Sequence, residues 1–272
     1  MTSFEQGKGL SVPQRMIDLH SHVLPGIDDG PETIEDSVEL ARAAVAAGTR
    51  TLVATPHVSW TYPNDAETIA ELVDRLNARL NAEEVELEVL PGAELAMTRL
   101  VDIRSEELSR LSLGGGPWLL VEPPFAAAVT GLDALVFDLQ RQGHRVLIAH
   151  PERCPAFHRN PGMLRELVDE GVLTSITAGS LAGRFGGEVR SFATALAREG
   201  LIHNVTSDTH DTVKRPPGVA AELRAAGLEP LADWLIEQVP AAILSGGEIP
   251  PRPAVKLPGL QPARAPWWRR RP

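Results

Sequence analysis

Short apolar, β-branched runs alternate with longer amphipathic stretches along most of this chain. The runs Met16–Val23, Thr51–Val58, Glu86–Met97, Trp118–Pro123, Arg145–His150, Leu173–Ala178 and Ile202–Ser207 read as strands. Between them, Ile34–Ala47, Ala66–Asn81, Asp133–Gln142, Met163–Glu170 and Glu188–Glu199 have the spacing of helices with one buried face. Strands that recur about every thirty residues with a helix between them mark parallel βα units. Seven such units predict an α/β fold that closes into a distorted (β/α)7, TIM-like barrel as a single domain. A doubly wound open sheet is the alternative. In a parallel barrel, active groups sit at the C-terminal ends of the strands.

The pattern begins at Met16, so residues 1–15 read as an N-terminal extension and 16–248 as the domain. The last stretch, IPPRPAVKLPGLQPARAPWWRRRP, loses all periodicity and is rich in Pro and Arg. Residues 249–272 therefore read as a flexible tail. Its Trp267–Trp268 pair and the arginines that follow offer a contact for a membrane surface or a partner, against the plainer reading of a solvated end.

Composition narrows the class. At 272 residues and 43% hydrophobic content the chain can bury one large core. It has no apolar run of about 18 residues, so no membrane span is expected. The first residues lack the apolar core of a secretory signal, which makes the cytoplasm the expected compartment. A lone cysteine, Cys154, excludes an internal disulfide framework. The net charge of −10 argues against a nucleic-acid surface, while leaving room for a local cationic site.

Only eight histidines are present, and IDLHSHVLPGIDDG places His20 and His22 two apart. On a strand, Asp18, His20 and His22 share a face, and a buried polar triplet is costly unless something binds it. The second strand ends in His57, the third reaches Glu94, the fourth Glu122 and the fifth His150; Asp208 and His210 follow the seventh, and Asp29 follows the first. On a parallel barrel these nine side chains converge on one rim. Singly, each is an ordinary structural or solvated residue; together they read as metal ligands. Five imidazoles and four carboxylates suit two or three divalent transition-metal ions, with Mn favoured and Fe or Zn as alternatives. Such a cluster keeps residual positive charge, which attracts a phosphate monoester, and lowers the pKa of bound water. Arg153 and Arg215 lie just past ligand-bearing strands, where guanidinium groups can fork onto phosphate oxygens. The plainer reading pairs them with Glu152 or Asp211 on the surface. Asp18 is placed to orient a ligand imidazole. His144 reads as a surface residue, His158 as a loop histidine without a role or one lining the pocket near Arg153, and His203 as a packed residue or one standing behind the ligands.

In order along residues 16 to 247, the motifs DLHSH…DDGP, TPH, GAE, VEPPF, HPER, TAGSLAGRFG and SDTH…RPP resemble the CpsB/CapC type of PHP-superfamily bacterial protein-tyrosine phosphatases. The resemblance implies a distorted (β/α)7 barrel of the PHP type and a trinuclear centre held by His20, His22, Asp29, His57, Glu94, Glu122, His150, Asp208 and His210. It implies that Arg153 and Arg215 bind phosphate, and that a hydroxide bridging the metals attacks phosphorus in line. His57, Asp208 or a group behind the ligands is the candidate for proton transfer to the phenolate. The implied substrate is a phosphotyrosine protein, usually a tyrosine autokinase controlling capsular or exopolysaccharide synthesis. The loop VSWTYPNDAE after His57 and the Pro/Arg-rich tail fall outside the shared pattern.

Four rivals remain, of which a PHP exonuclease, as attached to some DNA polymerases, is disfavoured by the acidic balance. A PHP histidinol-phosphate phosphatase, or another small-molecule phosphomonoesterase, uses similar ligands. A non-catalytic metal-binding regulator would be expected to lose some of the nine. A cysteine phosphatase needs Cys-x5-Arg, whereas Arg159 follows Cys154 one position too soon.

Overall fold

The structure, a computed structural model, describes residues 16–257. The extension 1–15, and the Trp267–Trp268 end of the tail, lie outside the described residues. Nine strands form in chain order: β1 (Met16–Ser21), β2 (Thr49–Ala54), β3 (His57–Val58), β4 (Glu88–Pro91), β5 (Glu94–Ala96), β6 (Trp118–Glu122), β7 (Arg145–Ala149), β8 (Leu173–Thr177) and β9 (Asn204–Thr206). They make two parallel sheets, β1-β2-β4 and β3-β5-β6-β7-β8-β9. A bridge between Ser21 and Thr209 joins the end of β1 to the segment after β9. The α/β class and its parallel strands agree with the alternating pattern.

Two expected strands are each split. Thr51–Val58 becomes β2 and β3, and Glu86–Met97 becomes β4 and β5. Pro56 and Pro91 lack the N–H a ladder needs, which ends pairing at both places. Gly92 follows because a Cβ there would come within 2.9 Å of Val53 Cγ1 and 3.2 Å of Leu113 Cδ2. The breaks re-aim the second halves, so that His57 pairs with Glu94 across β3 and β5. The irregular backbone is thus the means by which two ligand-type residues become neighbours.

Helices cover the sheets through faces that the apolar spacing marks. Ala66–Ala82 buries Ile69, Val73, Leu76 and Leu80 and is capped by Asp65, whose Oδ1 accepts from Thr68 N at 2.8 Å. Thr33 and Asp36 form a reciprocal capping box at the start of Ile34–Ala46. Beyond β9, the short helices Ala220–Ala225 and Val239–Ser245, with the π-turn Trp234–Gln238 between them, close the core through Leu223, Trp234, Leu235 and Ile243. No helix among the described residues is long and apolar enough to cross a membrane.

Residues 249–257 have no regular structure but are tied down: Trp234 Nε1 donates to Pro250 O at 2.9 Å, and Arg252 Nη2 to Ala197 O at 3.3 Å. His144 is buried, correcting the surface reading; its backbone N bonds Leu139 O where Leu132–Arg141 ends. His203 packs beside Trp234 with its ring nitrogen on Thr174. Burial, aided by Arg252, pulls its pKa down to about 4. The imidazole is therefore neutral when folded, and the unfolded chain takes the proton first as pH falls. Stability should drop between pH 6.5 and 4 by roughly 2 kcal/mol, and His203→Gln should flatten that part of the pH profile in urea melts.

Candidate metal centre

All strands run the same way, so their C-terminal ends meet at one rim, and the nine sequence-predicted residues all meet there. Four overlapping sets bring ligand atoms within 4.8 Å of one another: His22, Asp29, His57 and His210; His20, His22 and Asp208; His20, Glu94 and His150; and His57, Glu94 and Glu122. Glu94 lies at the hub. Its Oε2 is 3.3 Å from both His20 Nε2 and His22 Nε2 and 3.0 Å from His57 Nδ1, while Oε1 is 2.7 Å from His150 Nε2. On the outer side, Asp29 Oδ1 lies 3.2 Å from His210 Nε2 and 3.5 Å from His57 Nε2. Glu122 is the outlier, 3.8 Å from His150.

Two ligand residues are bent to reach the centre. His150 and Asp208 have φ of 30° and 52°, left-handed conformations that cost non-glycine residues energy. Each turns the chain at the end of a strand and delivers its side chain inward. Backbone ties hold the bend: Asp208 N donates to His20 O at 3.0 Å and Arg153 N to His150 O at 2.9 Å.

The donors fit a divalent transition metal. Glu94 Oε2 and Asp208 Oδ1 are buried carboxylate oxygens without a hydrogen-bond partner, although such atoms normally have one. His20 Nε2 and His22 Nε2 face each other at 3.3 Å, where two lone pairs need a shared proton or cation. Burial works against a charged His22, but Asp28 and Glu94 outweigh it and push its pKa up to about 10. Glu94 is also opposed by burial, yet His20 and His150 hold it well below the usual carboxylate range. Burial and the Glu94 charge push Glu122 up to about 8. This much negative charge gathers protons, and an ion binding there must displace them.

The sequence suggests for Asp28 only a part in shaping the loop that delivers Asp29, and its suggestion for Asp18 is overturned. Asp18 does not orient an imidazole: both its oxygens accept Ser207 N at 3.2 Å, and Oδ1 accepts His20 N at 3.3 Å. It fastens β1 to the end of β9, and so holds the backbone of two ligand segments. Asp28 does the orienting. Its Oδ2 accepts from His22 Nδ1 at 2.7 Å and from His57 N at 3.1 Å, and Oδ1 accepts from Gly30 N at 2.9 Å. A carboxylate on Nδ1 fixes the tautomer and turns Nε2 toward the centre. Asp28→Asn should therefore weaken metal binding by about 10–100-fold with little change in melting temperature, measured by titrating Mn2+ into chelated protein.

The two arginines are not paired with Glu152 or Asp211. Arg153 Nη1 and Arg215 Nη2 both bond Asp208 Oδ2, at 2.8 and 2.6 Å, and Arg215 Nη1 is 2.7 Å from His210 Nε2. Glu152 is instead buried, accepting from Thr177 N and Ser180 Oγ, and locks the Arg153 turn to the end of β8. His158 Nε2 bonds Glu152 O at 2.6 Å, so it supports that turn rather than standing idle. Cys154 is buried, and burial pushes its thiol pKa up, the reverse of a nucleophile.

The sequence matches the family of capsular polysaccharide synthesis proteins CpsB/CapC over residues 16–226. It is 42% identical over 201 residues to the tyrosine-protein phosphatase YwqE of Bacillus subtilis, covering 74% of this chain and 79% of that one. To the tyrosine-protein phosphatase CpsB of Streptococcus pneumoniae it is 32% identical over 210 residues, covering 74% and 86%. Its fold superposes on a crystal structure from a study of YwqE and CpsB, which are described there as unique metal-dependent tyrosine phosphatases. The TM-score is 0.74 at 35% identity, covering 89% of this chain and all of that one. A lactonase from Listeria monocytogenes shares the fold alone, at TM-score 0.55 and 12% identity.

Proposed function

This chain belongs to the CpsB/CapC family, and on that premise we infer that it is a metal-dependent protein-tyrosine phosphatase. The observation that carries the reading is the meeting of nine ligand-type residues with two arginines on one shared carboxylate, Asp208. The two parallel sheets joined at Ser21–Thr209 are a distorted (β/α)7 barrel, with residues 16–248 as its domain and 249–272 as an appended tail.

Two or three ions, Mn2+ by preference, would be held by His20, His22, Asp29, His57, Glu94, Glu122, His150, Asp208 and His210. When bound they supply activated water at neutral pH and neutralise phosphoryl oxygens. Arg153 and Arg215 take the remaining phosphoryl charge. Both are pre-aligned by Asp208 Oδ2, while Asp208 Oδ1 faces His20 and His22 at 3.5 and 3.6 Å. One carboxylate therefore couples the phosphate-binding arginines to the ligand cluster. Burial opposes its ionisation, but His20 and Arg215 hold it far below the usual carboxylate range, so it serves as an anchor rather than a proton donor. A tyrosine phenolate, with a pKa near 10, needs little protonation to leave.

The substrate is a phosphotyrosine protein, and a tyrosine autokinase of capsule or exopolysaccharide synthesis, in the cytoplasm, is its expected source. The test compares kcat/KM on a phosphotyrosine peptide and on histidinol phosphate with Mn-loaded protein. At least a hundredfold preference for the peptide supports the reading; the reverse preference would make the protein a small-molecule phosphatase.

A further inference from the structure

Tyr62 and Phe125 occupy matching positions on two flanks of Glu94. The Tyr62 ring stacks on His57 at 5.6 Å with 10° between planes, and the Phe125 ring stacks on His150 at 5.7 Å with 18° between planes. Those two histidines contact opposite oxygens of the Glu94 carboxylate. Phe125 is 54% exposed, a large apolar ring left in water beside a highly polar centre. Its inner face is spoken for by His150, and Arg153 Cζ sits over it at 5.2 Å. The rest of the ring is open to solvent.

Both rings are fixed in advance. Ser59 N donates to Tyr62 O at 2.9 Å and Tyr62 N to Ser59 Oγ at 3.1 Å, while Val58 bridges to Pro63. Asn64 Nδ2 then ties the loop to Ile27 O and His57 O, both at 2.9 Å. Phe125 follows Pro123 and Pro124, whose rings restrict the backbone, and Ala126 N folds back onto Pro124 O at 2.7 Å. Preset aromatic surfaces lose little entropy when a ligand packs on them.

We propose that Tyr62 and Phe125 are specificity-determining residues that form an apolar rim for the phenyl ring of the substrate, making the site selective for aryl over alkyl phosphate monoesters. The proposal rests on the phosphatase reading above. A phosphoryl group on Arg153 and Arg215 directs its ester substituent outward past this rim. A phenyl ring gains offset or edge contacts with the two aromatic side chains, whereas a serine or glycerol ester has no ring to offer. Phe125 has a second contact, the Arg153 guanidinium, which also lies 4.5 Å from Phe185. Phe185 therefore separates support of the arginine from recognition of the ring.

The experiment uses Mn-loaded full-length protein and measures KM for a phosphotyrosine peptide together with Ki for inorganic phosphate. Phe125→Ala and Tyr62→Ala should each raise the peptide KM about tenfold and change phosphate Ki less than about threefold. Phe125→Tyr, which keeps a ring, should restore KM. Phe185→Ala should move KM and Ki together, and Trp60→Ala, whose ring sits on Arg99, should move neither. Equal rises in KM and Ki for Phe125→Ala and Tyr62→Ala, or no rise in either, would overturn the rim. Wild-type protein that hydrolyses no aryl phosphate would instead overturn the phosphatase reading beneath it.

Discussion

Chelation of the purified protein is expected to lower hydrolysis of p-nitrophenyl phosphate by at least about 10³-fold, and added Mn2+ should restore it. The expectation follows from the meeting of nine ligand-type residues at the rim, with the chain's one cysteine buried away from them. Cys154 is buried with a raised pKa, and its sulfur lies 3.6 Å from Pro124 O, away from the Glu94 hub. Thiol alkylation should accordingly leave turnover intact. The same chelation should cost stability. The carboxylates of Asp29, Glu94, Glu122 and Asp208 are balanced in the metal-free protein by shared protons and two arginines. An ion that binds the folded state alone, at a thousand times its Kd, adds about 4 kcal/mol. Its removal should lower the melting temperature by roughly 10 °C. Loss of activity by alkylation with none by chelation would return attention to Cys154.

Arg153→Ala and Arg215→Ala should each lower kcat/KM on a phosphotyrosine peptide by roughly 10²–10³-fold, the size of effect seen when one donor to a developing negative charge is removed. Each substitution also leaves Asp208 Oδ2 with one cation fewer, so metal content must be measured beside the rate. If content is unchanged and the rate falls, the arginine acts on substrate. Lysine at position 153 should recover only part of the loss, because one ammonium cannot fork onto two oxygens or stack as a guanidinium does on Phe125 and Phe185. An Arg153→Ala enzyme with wild-type kcat/KM would remove that residue from the phosphate site.

Much of this centre is legible in the sequence because most ligand-type residues stand in or just past the end of an apolar run, and parallel strands carry such ends to one rim. Asp28 shows the limit. Its role depends on the chain after β1 curling back, so that a carboxylate six residues beyond His22 meets that imidazole. No period marks such a return. Asp18 shows the converse: strand alternation correctly placed it beside His20, yet its oxygens are claimed by Ser207 N from the far end of the domain. The stacked pairs Tyr62–His57 and Phe125–His150 arise from two loops whose paths are set by Pro63 and by Pro123–Pro124, again without periodic signal. The splits of two strands are written in Pro56, Pro91 and Gly92, which interrupt otherwise continuous apolar runs. The helices between 220 and 245 are too short, and too apolar around Trp234–Ile236, to present an amphipathic stripe.

The most direct test of the account counts transition-metal ions per chain and measures phosphotyrosine-peptide turnover in wild-type protein and in the His20→Ala/His22→Ala double variant. The account predicts two or three ions and full turnover for wild type, with ions and turnover lost together in the variant while it remains folded by circular dichroism. A double variant that keeps its metal and its rate, or a wild-type enzyme that turns over without bound metal, would contradict it.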